Sequence, residues 1–149
     1  MHKAYLSLGS NEQPEYYLEI AVQALRDNFK NVIVSDWVQT QAVGFEGPDF
    51  INGAAIIETD WDVYQLNDWL HALEDANGRR RDVPRFSNRT LDIDIIFFDD
   101  LILTGPGNLQ IPRPELKHAF VLGPLAQIAP EYVNPETGIS LVETLKLQA

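Results

Sequence analysis

Two aspartates in the otherwise apolar stretch 91–98 are the residues of this sequence best suited to chemistry. The segment "NRTLDIDIIFFDD" spans residues 88–100, and its alternation predicts a strand that turns Ile93 and Ile95 toward a core. Asp92 and Asp94 would then project together from the other side, roughly 6.5 to 7 Å apart. Like charges at this spacing repel, and burial adds a desolvation cost, so a cation is needed to neutralise them.

Magnesium is the cation that suits this pair, because Mg²⁺ prefers oxygen ligands and usually takes one or two carboxylates together with water and substrate phosphates. The alternatives are a polar face of an edge strand, or salt bridges to arginines nearby. Immediately upstream, "GRRRDVPRFSNR" (78–89) carries five of the eleven basic residues of the chain. This concentration of positive charge suits a nucleoside triphosphate, although a solvated arginine-rich loop has the same composition. Carboxylates for Mg²⁺ beside arginines for phosphates are typical of phosphoryl transfer.

Composition limits the other classes of function. The chain has 149 residues, 45% of them hydrophobic, which predicts one globular domain spanning residues 1–149. A net charge of −11 argues against binding to nucleic acid or to an anionic membrane. The absence of cysteine excludes disulfides and thiolate chemistry, and without a signal peptide at the N-terminus the expected location is the cytoplasm. Neither a P-loop nor a G-x-G-x-x-G motif is present.

The predicted elements that position the aspartates follow a β-α-β-β-α-β order. Strands are predicted over residues 4–8, 31–40, 50–58 and 91–98, helices over 15–29 and 62–77, a hairpin over 99–112 with "GPG" as its turn, and short helices over 124–128 and 139–146. This order predicts a split β-α-β fold, in which an antiparallel sheet carries packed helices.

Five segments along nearly the whole chain resemble those of one enzyme family. They are "AYLSLGSN", "QTQAVGFEGPDFINGAAIIET", "LEDANGRRR", "NRTLDIDIIFFDD" and "IPRPELKHAFVLGPLAQIAPEYV". The R-T-L-D-x-D block followed by F-V-L-x-P-L at this spacing is highly specific. The chain therefore resembles 6-hydroxymethyl-7,8-dihydropterin pyrophosphokinase, the folate-pathway enzyme that transfers pyrophosphate from ATP to the hydroxymethyl group of a pterin and gives AMP.

The resemblance implies an α+β fold with a ferredoxin-like core, an antiparallel-rich central sheet and helices on both faces. It implies ATP as co-substrate and two Mg²⁺ ions held by Asp92 and Asp94, and it leaves protein partners open. The residues that it implies fall into three groups: Arg79, Arg89, Asp92 and Asp94 in catalysis; Thr40, Val43, Phe50, Asn52 and Phe120 at the pterin; Arg81, Ile95, Arg113 and His118 at the nucleotide.

The implied pterin site is physically reasonable. Two aromatic rings, Phe50 and Phe120, can sandwich a flat bicyclic ring, and the amide of Asn52 can pair with a donor and acceptor edge. Ordinary core packing is the alternative for both phenylalanines.

Four positions depart from the usual pattern of the family. Phe86 replaces a tryptophan, "TQA" (40–42) replaces Thr-x-Pro, Arg113 replaces a histidine, and His118 replaces an arginine. Arg113 still supplies a cation, and histidine supplies a weaker, pH-dependent one. These replacements motivate a second hypothesis, a divergent paralogue that binds pterin or nucleotide with little or no turnover.

Overall fold

An antiparallel sheet lies at the centre of the computed structural model, which describes residues 1–41, 47–78 and 90–148. The strands are β1 (His2–Ser10), β2 (Lys30–Val34), β3 (Val38–Thr40), β4 (Phe50–Thr59), β5 (Asp92–Phe98), β6 (Leu103–Thr104) and β7 (Gln110–Ile111). The α-helices are α1 (Pro14–Asn28), α2 (Val63–Ala76), α3 (Ala119–Ile128) and α4 (Leu141–Gln148), with short 3₁₀ helices at Pro106–Asn108 and Pro114–Lys117.

The strand order of the main sheet is β2-β4-β1-β5, with β3 also paired to β4, and every pairing is antiparallel. This is the order that a β-α-β-β-α-β chain takes in a ferredoxin-like core, so the predicted fold class is confirmed. One predicted strand was wrong in its extent. The segment 31–40 forms two strands because the chain leaves the ladder after β2, where Ser35 Oγ accepts a hydrogen bond from the backbone N–H of Ala54 at 2.8 Å.

Two layers of apolar side chains hold helices on opposite faces of the sheet. The first core contains Leu18 and Leu25 of α1 together with Leu66 and Leu70 of α2. The second core contains Val121 and Leu125 of α3 and Leu141 of α4, packed beneath Tyr5 and Phe97. The sheet therefore separates an α1/α2 side from an α3/α4 side.

Helix α2 ends beside the first residues of β5. Its N-terminus is a capping box, in which Asp62 accepts from the N–H of Gln65 at 2.9 Å and Gln65 accepts from the N–H of Asp62 at 3.1 Å. At its other end Gly78 has a φ of +87°, the left-handed conformation that terminates many helices. A Cβ on Gly78 would lie 3.8 Å from Cγ2 of Thr90, so the helix end lies close to the residue two positions before β5.

The C-terminal third forms the predicted hairpin and two helices. Strands β6 and β7 pair across the 3₁₀ turn, as predicted from "GPG". Helix α3 begins at Ala119, five residues before the predicted start at Pro124. Among the described residues, no helix is both long enough and apolar enough to span a bilayer.

Candidate functional site

The candidate site is centred on Gly9, which lies in the sheet between a polar amide side chain and a carboxylate side chain. Gly9 on β1 pairs with Asn52 of β4 on one side and with Asp92 of β5 on the other. Paired residues of neighbouring strands face the same way, so the amide and the carboxylate share one face, with their Cα atoms roughly 10 Å apart. Because Gly9 has no side chain, the neighbouring side chains can approach its backbone closely on this face.

The aspartate pair lies on the α3/α4 side of the sheet. Ile93 and Ile95 are buried in the α1/α2 core, so the alternation of β5 turns Asp92 and Asp94 to the opposite face. Both aspartates are half-buried, and 30% of the Asp94 side chain remains exposed. The predicted orientation of the strand is therefore the observed one.

Arg113 approaches the pair from the segment that precedes α3. One of its terminal nitrogens lies 3.8 Å from Oδ1 of Asp94, and its Nε donates to Oε2 of Glu115 at 2.8 Å. Its backbone N–H donates to the carbonyl of Ile96 on β5 at 3.2 Å, which fixes the segment against the strand. Burial would lower the pKa of the guanidinium, but Asp94 and Glu115 raise it overall, so the side chain stays charged.

Asp94 carries a strongly perturbed carboxyl group. Burial first, and then the negative charge of Asp92, raise its pKa to about 8. Glu74 and Glu115 add to this rise, while Arg113 opposes it without cancelling it. The site therefore holds more negative charge than its described cation neutralises.

This donor set fits a hard divalent cation that shares its coordination with a substrate. Two carboxylates project together, and the raised pKa of Asp94 shows that additional positive charge would stabilise its ionised form. Within residues 1–41, 47–78 and 90–148, no group of three or more His, Cys, Asp or Glu side chains could hold a metal by itself. Any ion bound here would need further oxygen ligands from water or phosphate.

The amide of Asn52 is held in place on the opposite side of Gly9. Asn52 is only 5% exposed, and its Nδ2 donates to Oγ1 of Thr40 at 2.8 Å, across the β3–β4 pairing. A Cβ on Gly9 would lie 2.9 Å from Oδ1 of Asn52 and 3.9 Å from the ring of Phe50, so both side chains lean over the glycine. Nearby, Asn11 donates to the carbonyl of Pro48 at 3.1 Å and ties the start of β4 to the end of β1.

Two aromatic side chains stack at the N-terminus of α3. The rings of His118 and Phe120 lie 5.0 Å apart between centroids, at an interplanar angle of 8°. The helix belongs to the layer on the aspartate face, and Phe120 packs in part against the second core. His118, implied at the nucleotide, and Phe120, implied at the pterin, are therefore in direct contact.

One predicted residue is not part of this arrangement. Ile95 is 1% exposed in the α1/α2 core, on the sheet face away from the aspartates, so the nucleotide contact implied for it has no support from its position. Four other predicted residues, Val43, Arg79, Arg81 and Arg89, lie outside the described residues. Gly78 and Thr90, which flank the segment of the three arginines, lie close to each other.

The sequence prediction missed Glu74, which supports the strand carrying the aspartates. It is 2% exposed on α2, and its Oε2 accepts a hydrogen bond from the backbone N–H of Ile93 at 2.8 Å. Since β5 is an edge strand of the main sheet, this N–H points away from β1 and needs such a partner. A signal was available, because Glu74 follows Leu66 and Leu70 at four-residue spacing on the buried face of a helix.

Gly9 was also missed as a site residue. The sequence "GSN" indicated only the end of a strand, and its role depends on which strands pair with β1.

An antiparallel α+β fold with paired carboxylates and an arginine on one sheet face fits a phosphoryl-transfer class of enzyme. Comparison with known proteins narrows the class. The family model described as 7,8-dihydro-6-hydroxymethylpterin-pyrophosphokinase matches residues 5–130, and the chain belongs to this family. The sequence-based predictions of the family and of a pyrophosphokinase are therefore confirmed.

Relatives and solved structures agree with this assignment. The chain is 34% identical over 149 residues to 2-amino-4-hydroxy-6-hydroxymethyldihydropteridine pyrophosphokinase of Synechocystis sp., a match covering 97% of this chain and 75% of that protein. It is 35% identical to the Pseudomonas aeruginosa enzyme of the same name, over 91% of this chain and 86% of that one. A crystal structure of Plasmodium falciparum HPPK-DHPS matches 99% of this chain and 43% of its own, with a TM-score of 0.69 and 15% identity, and this likeness shows the fold alone.

Proposed function

We propose that this protein transfers the pyrophosphoryl group of ATP to the hydroxymethyl oxygen of 6-hydroxymethyl-7,8-dihydropterin and releases AMP. The observation that carries the proposal is the position of Gly9 between Asn52 and Asp92. An amide suited to the pterin edge and carboxylates suited to metal-bound phosphates thereby lie on one face of the sheet, with the Cα atoms of Asn52 and Asp92 roughly 10 Å apart. That separation suits a substrate whose reactive arm extends from its ring toward a triphosphate.

On the phosphate side, Asp92 and Asp94 would hold two Mg²⁺ ions. When bound, Mg²⁺ supplies neutralisation of charge on the ATP phosphates and orients them for in-line attack. A terminal nitrogen of Arg113 lies 3.8 Å from Oδ1 of Asp94 and adds a positive charge of the protein itself beside the metal site. Arg79, Arg81 and Arg89 remain predicted phosphate ligands, supported by the position of Gly78 and Thr90 at the ends of their segment.

On the pterin side, Asn52 offers both a donor and an acceptor, and its hydrogen bond to Thr40 fixes the orientation of the amide. Phe50 and Phe120 supply the aromatic surfaces for the two faces of the ring. Val43 is the remaining predicted contact.

The proposed reaction forms a bond from the hydroxymethyl oxygen to the β-phosphorus and breaks the bond between that phosphorus and the α–β bridging oxygen. The hydroxyl proton passes to Asp92 or to water, and AMP departs.

The test is AMP release from ATP, Mg²⁺ and the pterin alcohol, measured for the wild type and for Asp94→Asn. Removing one carboxylate without changing its shape should lower the rate roughly a hundredfold or more, because charge stabilisation of the transferred group is lost. Asp100→Asn is the matched control, since it makes the same chemical change at an exposed position just beyond β5 and should keep the wild-type rate. Undiminished AMP release by Asp94→Asn would contradict the assignment.

A divergent binding protein is the second candidate, and the contact of Arg113 with Asp94 favours it, because the guanidinium would compete with a metal ion for this carboxylate. Calorimetric titration of the pterin alcohol, in the presence of a non-hydrolysable ATP analogue, separates the two functions. Tight binding by the wild type without AMP release would support the binding protein, and binding together with AMP release supports the enzyme.

A further inference from the structure

His118 stands where the family usually has an arginine, and its side chain is committed to an aromatic neighbour. Its ring is nearly parallel to that of Phe120, at 8°, with centroids 5.0 Å apart. Ring planes in contact are separated by roughly 3.5 Å, so this centroid distance describes an offset stack, the arrangement that aromatic pairs prefer.

The backbone of His118 is fixed on both sides of this contact. Its N–H donates to the carbonyl of Glu115 at 3.0 Å. Its own carbonyl accepts from the N–H groups of Val121 and Leu122 at 3.0 and 2.9 Å, in the first turn of α3. The backbone that carries the imidazole is therefore held in place by hydrogen bonds. Phe120 is half-buried, and its ring would be freer to rotate if the imidazole were removed.

The described contacts of His118 differ from those of Arg113. Among the described residues, Arg113 forms the ion pair with Asp94 at 3.8 Å. The ring of His118 stacks on Phe120 instead.

We propose that His118 is a positioning residue for the pterin pocket. Its imidazole covers one face of the Phe120 ring and leaves the other face for the substrate ring. The inference rests on the proposed function and changes the role predicted for His118 from nucleotide contact to aromatic support. Holding a rotatable side chain in its binding orientation reduces the entropy lost when the ligand binds, so the effect appears in affinity for the pterin.

The test compares His118→Ala, His118→Phe and the wild type by calorimetry, with the pterin alcohol titrated into protein saturated with Mg²⁺ and a non-hydrolysable ATP analogue. Loss of the stack in His118→Ala should weaken pterin binding about three- to tenfold. His118→Phe keeps an aromatic face without charge or polar atoms and should restore near wild-type affinity. The affinity for the analogue should be the same in all three proteins.

Lys117→Ala is the matched control, because it alters the exposed neighbouring side chain and should leave both affinities unchanged. Weaker binding of the ATP analogue by both His118 variants, with pterin affinity retained, would overturn the inference in favour of a phosphate contact. Unchanged or tighter pterin binding by His118→Ala would also overturn it, since the imidazole would then be dispensable or would compete with the substrate. If the wild type binds no pterin alcohol, the proposed function itself fails, which is a separate outcome.

Discussion

Replacing Asp94 by asparagine should make the metal-free protein more stable although it destroys the proposed activity. The pKa of Asp94 is raised from 3.8 to about 8, so near pH 7 the folded chain must either take up a proton or keep an unfavourable charge. The penalty on the folded state is at most about 1.4 kcal/mol for each pH unit above 3.8. At pH 7, about three units higher, its ceiling is therefore roughly 4 kcal/mol. The 30% exposure of the side chain lets solvent screen the charge, and asparagine loses the attraction of Arg113. We therefore expect a gain of about 1 to 2 kcal/mol, or about 2 to 8 °C in Tm.

The sign of the pH dependence follows from the raised pKa. A group that binds its proton more tightly when folded contributes stability that is complete below the unfolded pKa, here 3.8, and is lost as the pH rises to about 8. The Tm difference between Asp94→Asn and wild type should accordingly be small near pH 4 and reach its full value near pH 8. Thermal unfolding in EDTA across this range measures it.

Addition of Mg²⁺ supplies the second half of the experiment. A bound cation should raise the Tm of the wild type near pH 8, where Asp94 is ionised, and should have little effect on Asp94→Asn. Asp100→Asn provides the control, with wild-type behaviour at every pH. If Asp94→Asn were less stable than wild type throughout the range in EDTA, the reasoning about its carboxylate would be refuted.

Two further predictions concern the residues that support the site. Glu74→Ala should cost about 1 to 3 kcal/mol in urea unfolding, because it leaves the buried N–H of Ile93 without its acceptor, whereas Glu74→Gln keeps a carbonyl there and should cost less. A larger loss in Glu74→Gln than in Glu74→Ala would contradict this role. Gly9→Ala places a Cβ 2.9 Å from Oδ1 of Asn52 and should weaken pterin binding about tenfold in calorimetry, with nucleotide affinity unchanged. Equal pterin affinity in Gly9→Ala and wild type would show that the amide of Asn52 is not part of the pocket.

The sequence predicted the orientation of the side chains on β5 well because a strand's alternation is local. Ile93 and Ile95 are buried and Asp92 and Asp94 face the other side, as the two-residue period requires. Pairing partners are not local. The position of Gly9 between two functional side chains follows from the strand order, and sequence periodicity carries no information about that order.

Two element boundaries were wrong for related reasons. The break after β2 depends on contacts with distant residues, since the N–H of Asp36 donates to Oε1 of Gln127 at 2.8 Å, ninety-one positions away. Helix α3 was predicted to begin at Pro124, and proline is favoured in the first turn of a helix. It begins at Ala119 instead, and Pro124 lies inside the helix, where it lacks the N–H that would have bonded the carbonyl of Phe120. Burial of the helix in the second core outweighs this loss.

The acidic side chains around β5 differ in how their contacts contribute to the stability of the fold. Glu74 satisfies the N–H of an edge strand, and Glu115 holds Nε of Arg113, so each contributes to the fold through a hydrogen bond at 2.8 Å. Asp94 is different, because its ion pair with Arg113 spans 3.8 Å and leaves its pKa near 8. An apolar residue at such a position would often be at least as stable. The fold thus keeps a carboxylate whose charge the described residues neutralise incompletely, on the same face as an oriented amide, and this negative charge is what a divalent cation that also binds phosphates would need there.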